Sequence, residues 1–401
     1  DEVEAYRAEH PLAAYCRPGG RPYEAVESGT LRLDDETLEE VAELLRSSDR
    51  GVILAGPAGD AGGFRQGTAA VHLAAVTGFP LLADPLSGAR FGDHGNALVV
   101  PGYDLFLRDE SVREALEPDL VVRVGVSPTS AALQRWLFHH NAVEQVVVDG
   151  GGRWKDHGAT ATRYLHADAA DTLLALAGRL EGCAGKAWTE RWRAVAEAAG
   201  ETMAREDAGE PHEGQVLARV AEAAGDGHLL FVSNSMPVRD LDAFAPPRDT
   251  ALRLLANRGA SGIDGIVSTA FGVATAGTTV CVLGDLAFFH DQNGLLWSRE
   301  EDVPVLFVLV DNDGGSIFRM LPVSEHEPEF TEYFTTPHRM EFKHSAALHG
   351  LPLEDVGVDE VGSVVKAYLG GPETRILRVR TDSAESHERR ARVARAVAEA
   401  V

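Results

Sequence analysis

Thr279-Val280-Cys281-Val282-Leu283-Gly284-Asp285-Leu286 and, after twenty-four intervening residues, Asp311-Asn312-Asp313-Gly314-Gly315 read as the ends of two buried strands and the turns that follow them. The second turn is preceded by Val303 to Val310, the longest apolar run of the chain, which contains Pro304 and suits a strand covered on both faces. Each strand delivers an oxygen-bearing side chain just past the carboxyl edge of a parallel sheet, where α/β proteins place ligands. Asp285 offers a carboxylate and Asn312 an amide oxygen. The glycines after Asn312 let a backbone carbonyl turn inward, at Gly314. Three protein oxygens leave room in an octahedron for two phosphate oxygens and a water, the usual way of holding magnesium. A helix expected from about Phe288 would aim its N-terminal amides at the same place, which suits a diphosphate. The competing reading is a pair of ordinary βα turns, in which Asp and Asn are common.

Working outward, strands are expected at Leu229–Asn234, Leu252–Ala256, Thr279–Leu283, Val303–Val310 and Arg375–Val379. Helices are expected at Gly214–Ala224, Ile263–Thr275, Phe288–Arg299 and Val361–Tyr368. An earlier series has a helix Asp34–Arg46 and strands Val52–Ala55, Pro80–Ala83, Leu120–Val124 and Gln145–Asp149. Helices Ser111–Leu116 and Ala131–His140 lie between them, and Asp171–Leu180 and Lys186–Arg205 follow. Alternation at this spacing predicts two tandem doubly wound parallel-sheet domains, an α/β class protein. The expected divisions are a connector at 1–30, a central Rossmann-like domain at 31–180, a helical linker at 181–210 and a diphosphate- and metal-binding domain at 211–401. Glu206–Pro211 is the breakable part of that linker.

The 401 residues suit two domains. A net charge of −25 excludes nucleic acid and anionic membranes as partners. Only Lys155, Lys186, Lys343 and Lys366 carry an ammonium group. That balance fits either a high-salt cytoplasm or an acidic surface encoded by a GC-rich genome. An anionic substrate would be repelled by such a surface, so its site needs local arginines. Cys16, Cys183 and Cys281 are scattered and suit a reducing cytoplasm, with Cys281 a small core residue. No apolar run reaches the length of a membrane span, and the acidic Asp1-Glu2-Val3-Glu4 is no signal peptide.

The Gly-Asp and Asp-Asn turns resemble the signature of thiamine diphosphate enzymes, a Gly-Asp followed about two dozen residues later by an Asn-Asn pair. Asp311 replaces the first Asn, a position that is not the expected metal ligand. Asn234-Ser235-Met236-Pro237-Val238-Arg239-Asp240, Asn257-Arg258-Gly259-Ala260-Ser261-Gly262-Ile263-Asp264-Gly265, the run from Asp311 to Phe318, and Phe334-Thr335-Thr336-Pro337-His338 resemble one branch of that superfamily. That branch is the 2-succinyl-5-enolpyruvyl-6-hydroxy-3-cyclohexene-1-carboxylate synthases of menaquinone biosynthesis. The likeness is strong over about 210–345 and only in outline before it.

The resemblance implies a transferase that decarboxylates 2-oxoglutarate and adds the four-carbon carbanion to isochorismate, with thiamine diphosphate and Mg2+ or Mn2+. It places Asp285, Asn312 and Gly314 on the metal, and Gly284, Asp285, Leu286, Ala287, Gly262, Ile263, Asn312 and Ile317 on the cofactor. Ile263 would be the apolar wedge that bends the cofactor. Ser235, Arg239 and Arg258 would meet substrate, the arginines as carboxylate clamps, with Ile317, Phe318 and Leu321 as an apolar wall. Plain core is the alternative for those three, and a surface ion pair for the arginines. His290, His338 and His344 invite an acid–base role, but His290 reads better as a surface or supporting residue.

The superfamily has three α/β domains, and the first carries the glutamate that activates the cofactor. Residues 1–30 resemble the connector from such a domain. The resemblance therefore assigns no catalytic residue to this chain and implies little activity for it alone. It also implies a homodimer or tetramer. Gly56-Pro57-Ala58-Gly59-Asp60-Ala61-Gly62-Gly63 resembles a dinucleotide turn, but the glycine spacing fails and a structural role is expected. The family's basic residue near Ser127-Pro128-Thr129-Ser130 is replaced by Ala131 and Ala132. Other readings are a different thiamine diphosphate-dependent 2-oxo acid decarboxylase or synthase, which would not want Arg239 and Arg258 in an apolar pocket, and a non-catalytic diphosphate-binding module.

Overall fold

The computed structural model describes residues 2–11, 24–27, 29–58, 63–152, 154, 156–180, 183, 185–300 and 303–401. Cys16, Lys155 and residues 59–62 of the glycine-rich turn lie outside the described residues. The chain divides into two units, 1–31 and 32–401. The first contains a helix, Glu2–Glu9, with Glu2 and Glu4 in its first turn, where carboxylates favour the amide end.

The second unit carries two wholly parallel sheets. The first is built from β1 (Gly51–Ala55), β2 (Leu81–Ala83), β3 (Leu120–Val124), β4 (Glu144–Val148) and β5 (Arg163–Leu165), in the order β2-β1-β3-β4-β5. The second comprises β6 (Leu229–Val232), β7 (Arg253–Leu255), β8 (Thr279–Gly284), β9 (Val305–Asp311), β10 (Leu353–Asp355) and β11 (Arg375–Arg380), in the order β10-β11-β9-β8-β6-β7. Helices cover both faces of each sheet, so the central strands are buried almost throughout and mostly apolar, with Arg123 in β3 and Gln145 in β4 as buried polar exceptions. All seven residues of β9 are buried. The period of two is still visible in what each residue touches. Ile53 and Ala55 pack with Val122, Val146 and the helices Asp35–Ser47 and Ala169–Ala177, whereas Val52 and Leu54 pack with Trp136 and Trp192 on the other face.

That second face is closed by two helices remote in sequence. Lys186–Asp207 buries Trp188, Trp192, Val195, Ala199 and Met203, and Trp188 Nε1 donates to the Gly51 carbonyl at 3.0 Å. Ser383–Ala400 contributes Val393, Ala394 and Val397 to the same cluster. The first of these passes beyond the expected break at Glu206, to Asp207.

Several boundaries differ from expectation. The helix expected from Phe288 begins at Asp285, runs to Asp291 and continues as a 3-10 turn, Gln292–Leu296, and a short helix, Trp297–Glu300. The helix expected from Ile263 begins at Ile266, because Gly265 adopts φ 69° at its N-cap. Met236–Phe244, Gly63–Thr77 and Ser383–Ala400 are helices that the sequence pattern had not marked.

Candidate active site

Strand register brings the two quoted turns together. Gly284 at the end of β8 pairs with Val310 in β9, and Asp311 pairs with Arg380 in β11. Asp285 therefore becomes the first residue of its helix, beside the turn that follows β9. Its carboxylate is 2% exposed. Oδ2 accepts from the Asn312 amide at 3.1 Å and the Gly314 amide at 3.0 Å, and Oδ1 accepts from the Leu286 amide at 2.6 Å. Each carboxylate oxygen has two lone pairs, so Oδ1 keeps one for a cation.

Asn312 is held from the other side. Its Nδ2 donates to Glu213 Oε2 at 2.9 Å, while its Oδ1 is buried and has no hydrogen-bond partner. An unpartnered buried amide oxygen is expensive unless something binds it. Gly314 adopts φ 138°, and a Cβ there would stand 2.1 Å from the Thr335 carbonyl oxygen. Only glycine fits that turn. An acidic oxygen, an orphaned amide oxygen and a glycine backbone at adjacent strand ends fit a hard divalent cation that carries a diphosphate.

Two further groups face this centre. His338 Nδ1 accepts from the Met340 amide at 3.0 Å, which leaves the ring proton on Nε2. Nε2 stands 3.1 Å from Asp285 Oδ2, off the direction of a good hydrogen bond. Asp311 lies close by: it, Asp285 and His338 each offer a ligand atom within 4.8 Å of the others. Burial, and then the neighbouring Asp285, raise the Asp311 carboxyl above its ordinary range. His290 and His344 are exposed.

The cation position opens into a cavity of about 150 Å³. Of the residues expected at the site, Ser235, Ile263, Gly284, Asp285, Leu286, Ala287, Asn312, Gly314, Ile317 and Phe318 line it. Leu321 does not, and its 49% exposure puts it outside the apolar wall expected of it. The cause is local. The 3-10 turn Ser316–Met320 ends at Leu321, which leaves it facing solvent, while Ile317 and Phe318 line the cavity and Phe318 stays 36% exposed. Gly262, Arg239 and Arg258 also stand outside the lining, but each holds the site together. Asn234 Nδ2 donates to the carbonyls of Asn257 and Gly262, both at 2.7 Å, and Asn234 Oδ1 accepts from Arg258 Nη1 at 2.7 Å. Arg239 Nη1 donates to the Ser235 carbonyl at 2.7 Å. Ser235 sits at φ 69°, a left-handed conformation that a serine adopts only when its surroundings enforce it. Burial, and then the charge of Arg258, lower the Arg239 pKa. Two guanidinium groups near enough to repel invite an anion between them.

Glu213 and Asn234 were not foreseen. Glu213 is 2% exposed, and burial followed by repulsion from Asp240 pushes its pKa up to about 7. Ala131 stands beside the Ser127–Ser130 turn at a separate cavity of about 480 Å³, with Arg113, Arg123 and Arg135 among its lining. Arginine thus lines that cavity from other positions.

Comparison with known families agrees with this geometry. Residues 30–232 match the family described as the middle domain of thiamine pyrophosphate enzymes, and residues 244–379 match the thiamine pyrophosphate enzyme C-terminal TPP binding domain. A 2-succinyl-5-enolpyruvyl-6-hydroxy-3-cyclohexene-1-carboxylate synthase of Halobacterium salinarum is 44% identical, with 98% of this chain aligned to 67% of that protein. Synthases of the same name from Halorubrum lacusprofundi and Bacillus velezensis are 41% and 37% identical, covering 98% and 81% of this chain and 68% and 56% of their own lengths. The chain belongs to the thiamine diphosphate-dependent 2-succinyl-5-enolpyruvyl-6-hydroxy-3-cyclohexene-1-carboxylate synthase family.

Proposed function

We propose that this chain binds thiamine diphosphate through Mg2+ or Mn2+, held by Asp285 Oδ1, Asn312 Oδ1 and the Gly314 carbonyl. We propose further that it serves the decarboxylation of 2-oxoglutarate and transfer of the four-carbon fragment to isochorismate, a step of menaquinone biosynthesis. The observation that carries the reading is the buried, unpartnered Asn312 Oδ1 beside the buried Asp285 carboxylate. The cofactor, when bound, supplies the electron sink for loss of carbon dioxide from a 2-oxo acid.

The chain's own residues bind, orient and exclude water. Ile263 would supply an apolar surface to the cofactor, and Gly284, Leu286, Ala287 and Ile317 would complete its walls. Ile317 and Phe318 keep the reacting region dry, which strengthens every charge interaction within it. Arg239 and Arg258, already close enough to perturb one another, supply fork-shaped donors for substrate carboxylates, and Ser235 lies between them and the cofactor cavity. Leu321 and Gly262 lie outside the lining. The division into a connector at 1–30, a central domain at 31–180, a helical linker at 181–210 and a cofactor domain at 211–401 is part of the same reading. So is a cytoplasmic homodimer or tetramer, which light scattering would measure. Among the described residues no helix is long and apolar enough to cross a membrane.

The binding site is tested by titration calorimetry with thiamine diphosphate and Mg2+. Asp285→Ala is expected to weaken metal-dependent binding by at least roughly a hundredfold, since it removes the only charged ligand proposed. Unchanged affinity would remove the metal assignment. Carbon dioxide release from a panel of 2-oxo acids tests the substrate, and 2-oxoglutarate is expected to lead it.

A further inference from the structure

Glu213 belongs to no motif singled out by sequence, yet it lines the cofactor cavity with its side chain buried. Its Oε2 accepts two hydrogen bonds at 2.9 Å, one from Asn312 Nδ2 and one from Thr381 Oγ1. Thr381 is itself fixed, because its amide donates to the Asp311 carbonyl at 3.0 Å. The carboxylate is thus tied to the end of β11 on one side and to the turn after β9 on the other.

The consequence concerns the two ends of one amide group. A carboxylate oxygen accepts from an NH2 group but repels a carbonyl oxygen. With Glu213 as an ionised carboxylate whose Oε2 accepts from both Asn312 Nδ2 and Thr381 Oγ1, the Asn312 amide has one favourable orientation: Nδ2 toward Glu213 and Oδ1 away from it. Oδ1 is the atom that is buried without a partner. In the flipped orientation oxygen would face oxygen, and the cation would meet an NH2 group with no lone pair to offer.

We infer that Glu213 is a positioning residue for the metal centre: it selects the Asn312 rotamer that presents Oδ1, rather than Nδ2, to the divalent cation. The inference rests on the reading of Asn312 as a metal ligand. In this role Glu213 acts through Asn312, to which Oε2 is directly bonded.

The test measures Mn2+ affinity of the full chain by calorimetry in the presence of thiamine diphosphate, with folding checked by circular dichroism and thermal melting. Glu213→Leu keeps the side-chain bulk and removes the acceptor. Its affinity is expected to fall roughly 10- to 100-fold, the usual cost of losing a group that orients a ligand. Glu213→Gln retains an acceptor oxygen and is expected to stay within about threefold of the parent. In an Asn312→Asp background both terminal atoms are oxygen, orientation ceases to matter, and Glu213→Leu is expected to cause no further loss. A merely structural role would cost affinity in both backgrounds. A folded Glu213→Leu that binds Mn2+ like the parent overturns the inference. Should that variant not fold, Glu213→Gln decides alone, since a tenfold loss or more with the acceptor intact overturns it as well. If Asn312→Ala also binds Mn2+ like the parent, the metal-ligand reading itself has failed, a different outcome from failure of the Glu213 assignment.

Discussion

His212 is the residue next to Glu213, and burial shifts the two in opposite directions. It lowers the His212 pKa to about 4, helped by Arg390, Arg389 and Arg219, and raises Glu213 to about 7. His212 ordinarily titrates near 6.5, so the folded protein binds fewer protons there than the unfolded chain. Its contribution to stability is complete above pH 6.5 and is lost as pH falls toward 4, by at most about 3 kcal/mol. Glu213 has the reverse sign: its contribution is full below its ordinary value of 4.5 and lost as pH rises through 7. The parent curve sums the two, so the difference between parent and His212→Asn isolates the histidine. Asn can still accept from the Gly214 amide, which His212 Nδ1 meets at 3.1 Å. Melting temperatures from pH 7.5 to 4.5 are expected to decline less for the variant, whatever its starting value. Parallel decline would show that His212 titrates unshifted. These residues also show what a sequence conceals. Asp285 and Asn312 were legible because their own chemistry and spacing define the centre. Glu213 was not, because it lies 99 residues from Asn312 and acquires its role only when the helix Gly214–Ala224 docks beside β9. Asn234 stood inside a quoted motif, yet nothing in its type shows that it pins Asn257, Gly262 and Arg258 together.

Elements differ in legibility for the same physical reason. The central strands β8 and β9 announced themselves as apolar runs, since both faces are covered. The three-residue edge strands β5 (Arg-Tyr-Leu) and β10 (Leu-Glu-Asp) did not, because they carry too few apolar residues to form a pattern, whereas the equally short edge strands β2 and β7 sit within apolar runs. The final helix, Ser383–Ala400, was missed for a sharper reason: among the residues it buries are Arg389 and Arg390, which a hydrophobic pattern counts as surface. Arg390 pairs with Asp240, at 4% and 1% side-chain exposure, and lies over the Phe244 ring at 5.2 Å. Truncating one partner of a buried pair leaves the other charge uncompensated. Arg390→Leu is therefore expected to cost about 3–5 kcal/mol, and Arg390→Leu with Asp240→Leu to recover much of that loss. Urea denaturation of the single and double variants measures both. A double variant as unstable as the single one would mean that the stranded Asp240 charge is not the source of the loss.

At the scale of the whole molecule the dominant fact is charge. A net −25 means that at least 25 of the 62 acidic groups have no Lys or Arg of their own, and the compact state concentrates their repulsion. Salt relieves it by shortening the reach of each charge from about 10 Å at 0.1 M to about 3 Å at 1 M. The buried pairs Arg90–Asp242 and Arg390–Asp240 are shielded from that screening, so added salt weakens little that holds the core together. The melting temperature is accordingly expected to rise by roughly 5 °C or more between 0.1 and 2 M KCl, equivalent to about 4 kcal/mol in a protein of this size. Salt also strengthens apolar burial, so the rise alone does not identify its cause. Glu114, Glu197, Glu201, Glu329 and Glu332 are exposed and form no ion pair among the described residues, which makes them the discriminating sites. Converting all five to Gln lowers self-repulsion without touching the core. The variant should melt higher than the parent at 0.1 M KCl and show a shallower dependence on salt, the two curves converging at 2 M. If both curves keep the same slope, repulsion between surface carboxylates is not what salt relieves, and the acidic composition has no bearing on stability.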